Sequence, residues 1–249
     1  MLILGLIFCC MILPTQQVVN RDILSIYKKT FHGDGTFYGE GGGLKGLCQY
    51  YPPGLPPAGR SSLIRNTVAL NKPQMHGSLG CGMCFKVKGS GKGAGNTPIT
   101  GDFYVFVDNL CPECLEGSLD FGQDGDGRWA IEVQAVQCPV GNTKIQYSFQ
   151  GSHQWYIKLQ IRNHRIPITG LRLYQSKRQE WTPLKHTADG YWELDPTHEW
   201  DKPLVAPLKV QLVAANGVVL KDSIPKIENG VAIQGNVQVP YDPHLPNTE

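Results

Sequence analysis

After Cys138 the chain contains no cysteine at all, and nowhere does it contain HExxH, an EF-hand spacing, a G-x-S-x-G elbow or a dinucleotide fingerprint. The seven histidines are scattered. These absences argue against zinc-peptidase, calcium-sensor, α/β-hydrolase and nucleotide-dependent chemistry, and no cofactor is implied. Charge of either sign is not in excess: the formal net charge of +2 gives no reason to expect a nucleic-acid partner. There is no Asn-x-Ser/Thr sequon, because Asn66, Asn96, Asn142 and Asn247 each have Thr one residue too early. Long hydrophobic runs are limited to the opening MLILGLIFCCMILP, too short to span a bilayer comfortably and followed by polar residues. It reads as a secretory signal peptide over 1–19, although no Lys or Arg precedes its apolar core. A membrane anchor is the alternative. No later segment is a candidate membrane span, so no membrane partner is expected after signal removal, and a monomer is expected.

Amphipathic helical periodicity is also scarce, whereas turn formers are plentiful, with 29 Gly and 18 Pro. An all-β chain follows. Removing the leader takes Cys9 and Cys10 with it and leaves Cys48, Cys81, Cys84, Cys111, Cys114 and Cys138, an even set that reads as three disulfides in an exported protein. The competing reading is a zinc site, since CGMC and CPEC supply two CxxC pairs. All six lie between Cys48 and Cys138 and none follows, which suggests a domain boundary just after Cys138 and a short connector over 141–146.

In the first block Phe103–Val107 is an apolar run of strand length ending at Asp108, and Trp129–Val136 alternates as a half-buried strand does. Between Cys84 and Asp102, KGSGKGAGNTPITG is a glycine-rich hairpin connection, with neither the Walker lysine context nor a following helix. In the second block Ile157, Leu159 and Ile161 alternate with Lys158, Gln160 and Arg162, and Val210, Leu212 and Ala214 alternate ahead of an Asn216-Gly217 turn. Short strands of this kind suggest a small sandwich. The start of the mature chain to about His32 and the tail after Pro240 are expected to be loosely held.

The ordered series GTFYGEGGG, Cys48, LGCGMC, VDNLCPEC, GSLDF, VQC and HQWYIKLQIRNHRIPI resembles the expansins, and more closely their microbial and other non-plant members. The resemblance covers nearly the whole mature chain. It implies an all-β protein: a double-psi β-barrel related to glycoside hydrolase family 45 over 30–140, then an immunoglobulin-like β-sandwich carbohydrate-binding domain over 147–240. It also implies a secreted protein that binds cellulose and associated wall polysaccharides and loosens the wall without hydrolysis. The cysteine order of the family implies the pairs Cys48–Cys81, Cys84–Cys138 and Cys111–Cys114.

Carried over by motif, Asp120 in GSLDF falls on the family's essential aspartate, the counterpart of the hydrolase general acid. Asp108 falls on a second acidic position at a strand end, and Thr36 and Tyr38 on groove residues, so that all four line one groove. A glycosidic oxygen leaves only when protonated, and a carboxylic acid held near neutral pH by burial or a like charge is a natural donor. Inverting hydrolysis needs a base as well. Glu40 stands where the related hydrolases keep that base, which leaves open an inverting endo-β-1,4-glucanase. The competing reading is that Glu40 is a solvated residue in the glycine-rich loop GEGGG, expected to bend too freely to fix a base.

Trp155 and Tyr156 match the adjacent aromatic pair of the family's binding platform. Strict alternation puts Trp155 on the face of Ile157, so exposure of both rings requires an irregular turn near Gly151-Ser152. Tyr191 is the nearest candidate for a third ring, the simple alignment falling on Ala188 or Asp189, and Lys158 is a candidate hydrogen-bond donor to a sugar hydroxyl. Trp192 and Trp181 are expected to be buried. A plain cellulose-binding protein is the remaining alternative.

Overall fold

The computed structural model describes residues 20–39 and 46–248; the leader with Cys9 and Cys10, and Glu40, lie outside the described residues. Six strands close a barrel: β1 (Phe31–Phe37), β2 (Ile64–Asn71), β3 (Cys84–Ala94), β4 (Thr100–Cys111), β5 (Leu119–Phe121) and β6 (Arg128–Val136), in the order β1-β5-β2-β4-β3-β6. Pairing is antiparallel except for β1 with β5 and β2 with β4, which are parallel. These crossed parallel pairs in an otherwise antiparallel barrel are the double-psi arrangement. β1 enters a crowded interior by using glycine: a Cβ at Gly35 would meet Ile99 Cδ1 at 2.4 Å. The glycine-rich stretch forms the β3–β4 hairpin, with Gly91 N donating to Ile99 O at 2.9 Å.

The second unit contains β7 (Gln146–Phe149), β8 (Lys158–Arg162), β9 (Ile168–Gln175), β10 (Glu180–His186), β11 (Trp192–Leu194), β12 (Leu208–Ala214), β13 (Val219–Ile224) and β14 (Ile233–Gln234). β10 joins two halves of a sandwich: Glu180–Pro183 pair with β9, and Leu184–His186 with β11. Val210, Leu212 and Ala214 point inward, and β12 meets β13 across the Asn216-Gly217 turn. Trp192 is buried, but Trp181 is only half-buried. Thr182 and Leu184 take the inward register of β10, which leaves the Trp181 ring on the outer face, 5.2 Å from Tyr174.

The six cysteines form Cys48–Cys81, Cys84–Cys138 and Cys111–Cys114, so neither CxxC pair is available to a metal. Among the described residues, the stretch from Asn20 to His32 and the tail after Pro240 depart from the loose arrangement expected of them. A short helix, α1 (Arg21–Tyr27), is capped by Asn20, whose side chain accepts from Ile23 N, and it buries Ile23, Ile26 and Tyr27. Asn20 N also donates to Ala215 O at 2.9 Å, tying the helix to the sandwich. At the other end Gln137 N donates to Pro246 O, and Leu245 is buried. Apolar burial and backbone pairing, which a polar-looking terminus does not advertise, hold both segments.

The barrel and sandwich are packed together. Gln160 Nε2 donates to Cys48 O at 2.6 Å, Asn163 Oδ1 accepts from Ala58 N at 2.9 Å, and Ser78 Oγ donates to Thr187 O at 2.8 Å. Arg162 is fully buried, its guanidinium donating to the carbonyls of Tyr50 and Gly54 and lying 5.0 Å from the Tyr50 ring centroid. Gly82 at φ +80° admits this contact, since a Cβ there would lie 2.7 Å from Tyr50 Oη. The polar face of β8, which alternation alone leaves to water, is covered by the barrel.

Candidate functional site

The barrel groups converge from β1, β2, β4 and β5. Parallel pairing puts Thr36 opposite Asp120, and the Thr36 hydroxyl donates to Asp120 Oδ1 at 2.6 Å. Asp120 is partly exposed on β5. Burial pushes its carboxyl above the ordinary carboxylate range; the Thr36 bond pulls it down, Glu113 pushes it up, and Arg128 pulls it down.

Asp108 is placed differently from its expected position at a strand end. β4 continues to Cys111, and Asp108 sits at an irregularity in it: Val68 pairs with Val107 but Ala69 with Asn109, leaving Asp108 as the extra residue. Such a bulge re-aims a side chain that regular pleating would send elsewhere. Asp108 is 1% exposed, so it lies beneath the groove and does not line it. Its Oδ1 is buried without a hydrogen-bond partner among the described residues, and Thr67 hydrogen-bonds the carboxylate. Burial pushes its pKa up to about 6, against the smaller opposing effect of Thr67. Tyr38 is half-buried with its hydroxyl shut away from water; burial and then Asp108 push its pKa up to about 12.

The raised Asp108 pKa carries a consequence for stability. The unfolded chain releases this proton near the ordinary 3.8 while the folded chain keeps it to about 6. The stabilising contribution is therefore complete below about pH 4 and is lost as pH rises to about 6, on the order of 3 kcal/mol. Urea unfolding of wild type and Asp108→Asn between pH 4 and 7 is expected to show the wild type losing stability over that window and the variant losing much less. Equal slopes would contradict the placement of this carboxyl.

In the sandwich, Trp155 and Tyr156 stand 50% and 37% exposed. A tight turn explains how two successive rings reach one surface: His153 N donates to Tyr156 O at 2.9 Å and Tyr156 N to His153 O at 3.0 Å, before β8 starts at Lys158. Alternation begins only after this turn, so Trp155 is released from the inward face of Ile157.

Tyr191 is not part of this surface. It is 3% exposed, packed beneath Lys158, whose Nζ lies 4.7 Å from its ring centroid. Lys158 is likewise not a free donor: its ammonium pairs with Asp189 Oδ2 at 2.6 Å. Burial works against the Asp189 charge, but the bonds from Lys158 and Thr187 outweigh it and hold the carboxyl below its usual range. Where a third ring is expected the chain places this ion pair, and Gln49 Nε2 reaches it from the barrel side at 3.5 Å. Thr67 and Trp200 escaped the sequence reading. Thr67 sits in an unremarkable strand, and Trp200 lies in the loop after β11, but it lines an open groove together with Trp155 and Tyr156.

No family model matches the chain. Over 150 residues it is 29% identical to Expansin-YoaJ of Bacillus subtilis, a match covering 55% of this chain and 61% of that protein, so under two thirds of the bacterial relative is spanned. Over 230 residues it is 26% identical to the putative expansin-B2 of Arabidopsis thaliana, covering 81% of this chain and 77% of that one. The crystal structure of the apo expansin of Clavibacter michiganensis aligns with a TM-score of 0.66 at 24% identity, covering 86% of this chain and all (100%) of the other. A mutant of the same bacterial protein, solved in complex with cellohexaose, aligns equally well, with a TM-score of 0.66. The fold of both units is shared with these structures.

Proposed function

We propose, from the premise that this chain is expansin-like, that it is a secreted protein that binds cellulosic wall polysaccharide and loosens it by disturbing non-covalent contacts between glucans, without hydrolysis. The observation that carries the reading is the exposed Trp155–Tyr156 turn on the same chain as the Thr36–Asp120 pair. Sugar faces present C–H groups to aromatic rings and keep their hydroxyls wet, so adjacent exposed rings make a glucan-holding surface. The cellohexaose complex of the bacterial expansin with this fold supports a β-1,4-glucan as ligand.

Asp120 acts in this scheme as a hydrogen-bonding acid. Its raised pKa keeps more of it protonated than an open carboxyl would be, and a protonated carboxyl donates to a glycosidic or hydroxyl oxygen and competes with the bonds joining one glucan to the next. Completing hydrolysis needs in addition a base and a water on the far side of the sugar. Asp108 is poorly suited to that task because it is enclosed and holds its own proton to about pH 6. The carboxylate that motif position offers as a base for an endoglucanase is Glu40, so a reducing-sugar assay on soluble β-glucan beside a wall-creep assay decides between the two activities.

The platform has its own expected result. Each ring covers on the order of 60 Å² of apolar sugar surface, about 1.5 kcal/mol and therefore about tenfold in affinity. Trp155→Ala and Tyr156→Ala are each expected to weaken binding to amorphous cellulose by about that factor in depletion isotherms. Both side chains are exposed, so the melting temperature is expected to stay within ~2 °C of wild type. Unchanged isotherms for both variants would remove the sandwich from the binding reaction.

A further inference from the structure

Beyond β11 the chain leaves the sheet at Asp195 and builds a fixed edge along one side of the Trp155–Tyr156 turn. Asp195 Oδ1 accepts from Thr197 N at 2.9 Å and from Thr197 Oγ1 at 2.7 Å, while its carbonyl accepts from His198 N at 3.1 Å and from Trp200 Nε1 at 2.9 Å. Buried Gln175 holds the middle of the segment, accepting from Asp201 N at 2.6 Å and donating to Glu199 O at 3.1 Å. The far end is tied to the aromatic turn itself: Leu204 N donates to Gln154 O at 2.7 Å. Segment 195–204 is thus pinned at its start, middle and end.

Between this edge and the turn runs an open groove of roughly 830 Å³. Trp155, Tyr156 and half-buried Trp200 supply its rings, and Glu193, Glu199 and Lys202 its polar rim. Tyr156 Oη reaches Glu193 Oε2 at 3.4 Å, and Glu199 is paired with Arg178.

We propose that Trp200 is the third sugar-facing ring of this protein and that segment 195–204 makes the site a walled groove for a single β-1,4-glucan chain, in preference to the flat face of a cellulose crystal. The inference rests on the glucan-binding reading above. Its physical basis is steric and polar. In a crystal face every chain is flanked at van der Waals distance by neighbours, and its equatorial hydroxyls are engaged with them. A wall rising beside the rings occupies the space those neighbours need. A separated chain has that space free, and its ring-edge hydroxyls are open to the carboxylates and ammonium of the rim, while the pinned backbone of segment 195–204 lowers the ordering cost of binding. The Lys158–Asp189 pair stands where a third ring is expected, and Trp200 supplies a ring to the groove from segment 195–204.

Calorimetric titration with cellohexaose and depletion isotherms on amorphous and microcrystalline cellulose, run on the full chain, test this. Wild type is expected to favour amorphous over microcrystalline cellulose. Trp200→Ala is expected to weaken cellohexaose binding about tenfold and to change binding to microcrystalline cellulose less than about twofold. Because Trp200 also packs against the core, the double variant Glu199→Ala/Lys202→Ala, at two exposed rim positions, serves as a second probe. It is expected to weaken cellohexaose binding severalfold with the melting temperature held. A folded Trp200→Ala that binds cellohexaose as wild type does, or that loses both substrates equally, overturns the groove. Should Trp200→Ala fail to fold, unchanged cellohexaose binding by the rim variant overturns it. Failure of the underlying reading is distinguishable: there Trp155→Ala and Tyr156→Ala also leave every isotherm unchanged.

Discussion

Asp120→Asn is expected to reduce wall creep to the level of buffer alone. The substitution keeps the size of the side chain and the acceptor for the Thr36 hydroxyl, which donates to Asp120 Oδ1 at 2.6 Å. It removes the acidic proton. Because Asp120 is only partly buried and the Thr36 bond survives, stability is expected to change by less than ~1 kcal/mol. The measurement is extension of heat-inactivated cellulosic wall under constant load, with melting temperature as the folding control. Retained creep in a well-folded variant would eliminate Asp120 as the acting group. The pH profile offers a further check, since a donor role requires the protonated form. The raised pKa of Asp120 places activity on the acid side, falling as pH rises through that pKa. Asp120→Asn has no such proton to lose.

The second large effect concerns the barrel scaffold. Cys84 in β3 and Cys138 just after β6 are both buried and are separated by 54 residues. Closing a loop of that length in the unfolded chain is worth about 4 kcal/mol in the chain-entropy account. For a protein of this size Cys84→Ala/Cys138→Ala is expected to lower the melting temperature by roughly 8–16 °C. Cys111–Cys114, with a separation of only 3, is the internal comparison. Its removal is expected to cost about half as much, so scanning calorimetry of the two double variants should rank them in that order. The reverse order would mean that the short loop, and not the long closure, dominates scaffold stability.

Much of this site was legible in the residues because the information was local. The Thr36–Asp120 pair belongs to two short motifs, and the Trp155-Tyr156 dipeptide marks the exposed rings of the sandwich. The irregular turn required for two successive rings to be exposed is present as the His153–Tyr156 turn. Misplacement occurred where a long-range contact overrode local pattern. Tyr191 carries a polar hydroxyl in a turn-rich stretch and looks exposed, yet it is buried with the Lys158 ammonium over its ring. Asp108 reads as the end of an apolar run, whereas a bulge against β2 turns it into an enclosed position within β4. Trp200 stands in a loop with no periodicity, so nothing nearby in the chain signals that it lines a groove with Trp155.

The strands with clear alternation or apolar runs, the two-part division suggested by the cysteines and the candidate aspartate and aromatic residues came from the sequence alone, because period-2 alternation, cysteine distribution and motif order are properties of residues near one another in the chain. Tertiary structure alone decided which side of each element meets water. Lys158, Gln160 and Arg162 alternate with apolar residues as an exposed face does, and Gln160 and Arg162 are nonetheless buried because the barrel supplies carbonyl acceptors at Cys48, Tyr50 and Gly54. The same kind of decision set the depth of Asp108 and brought Trp200 to the groove. Burial and proximity depend on residues far apart in the chain, and no local pattern encodes them.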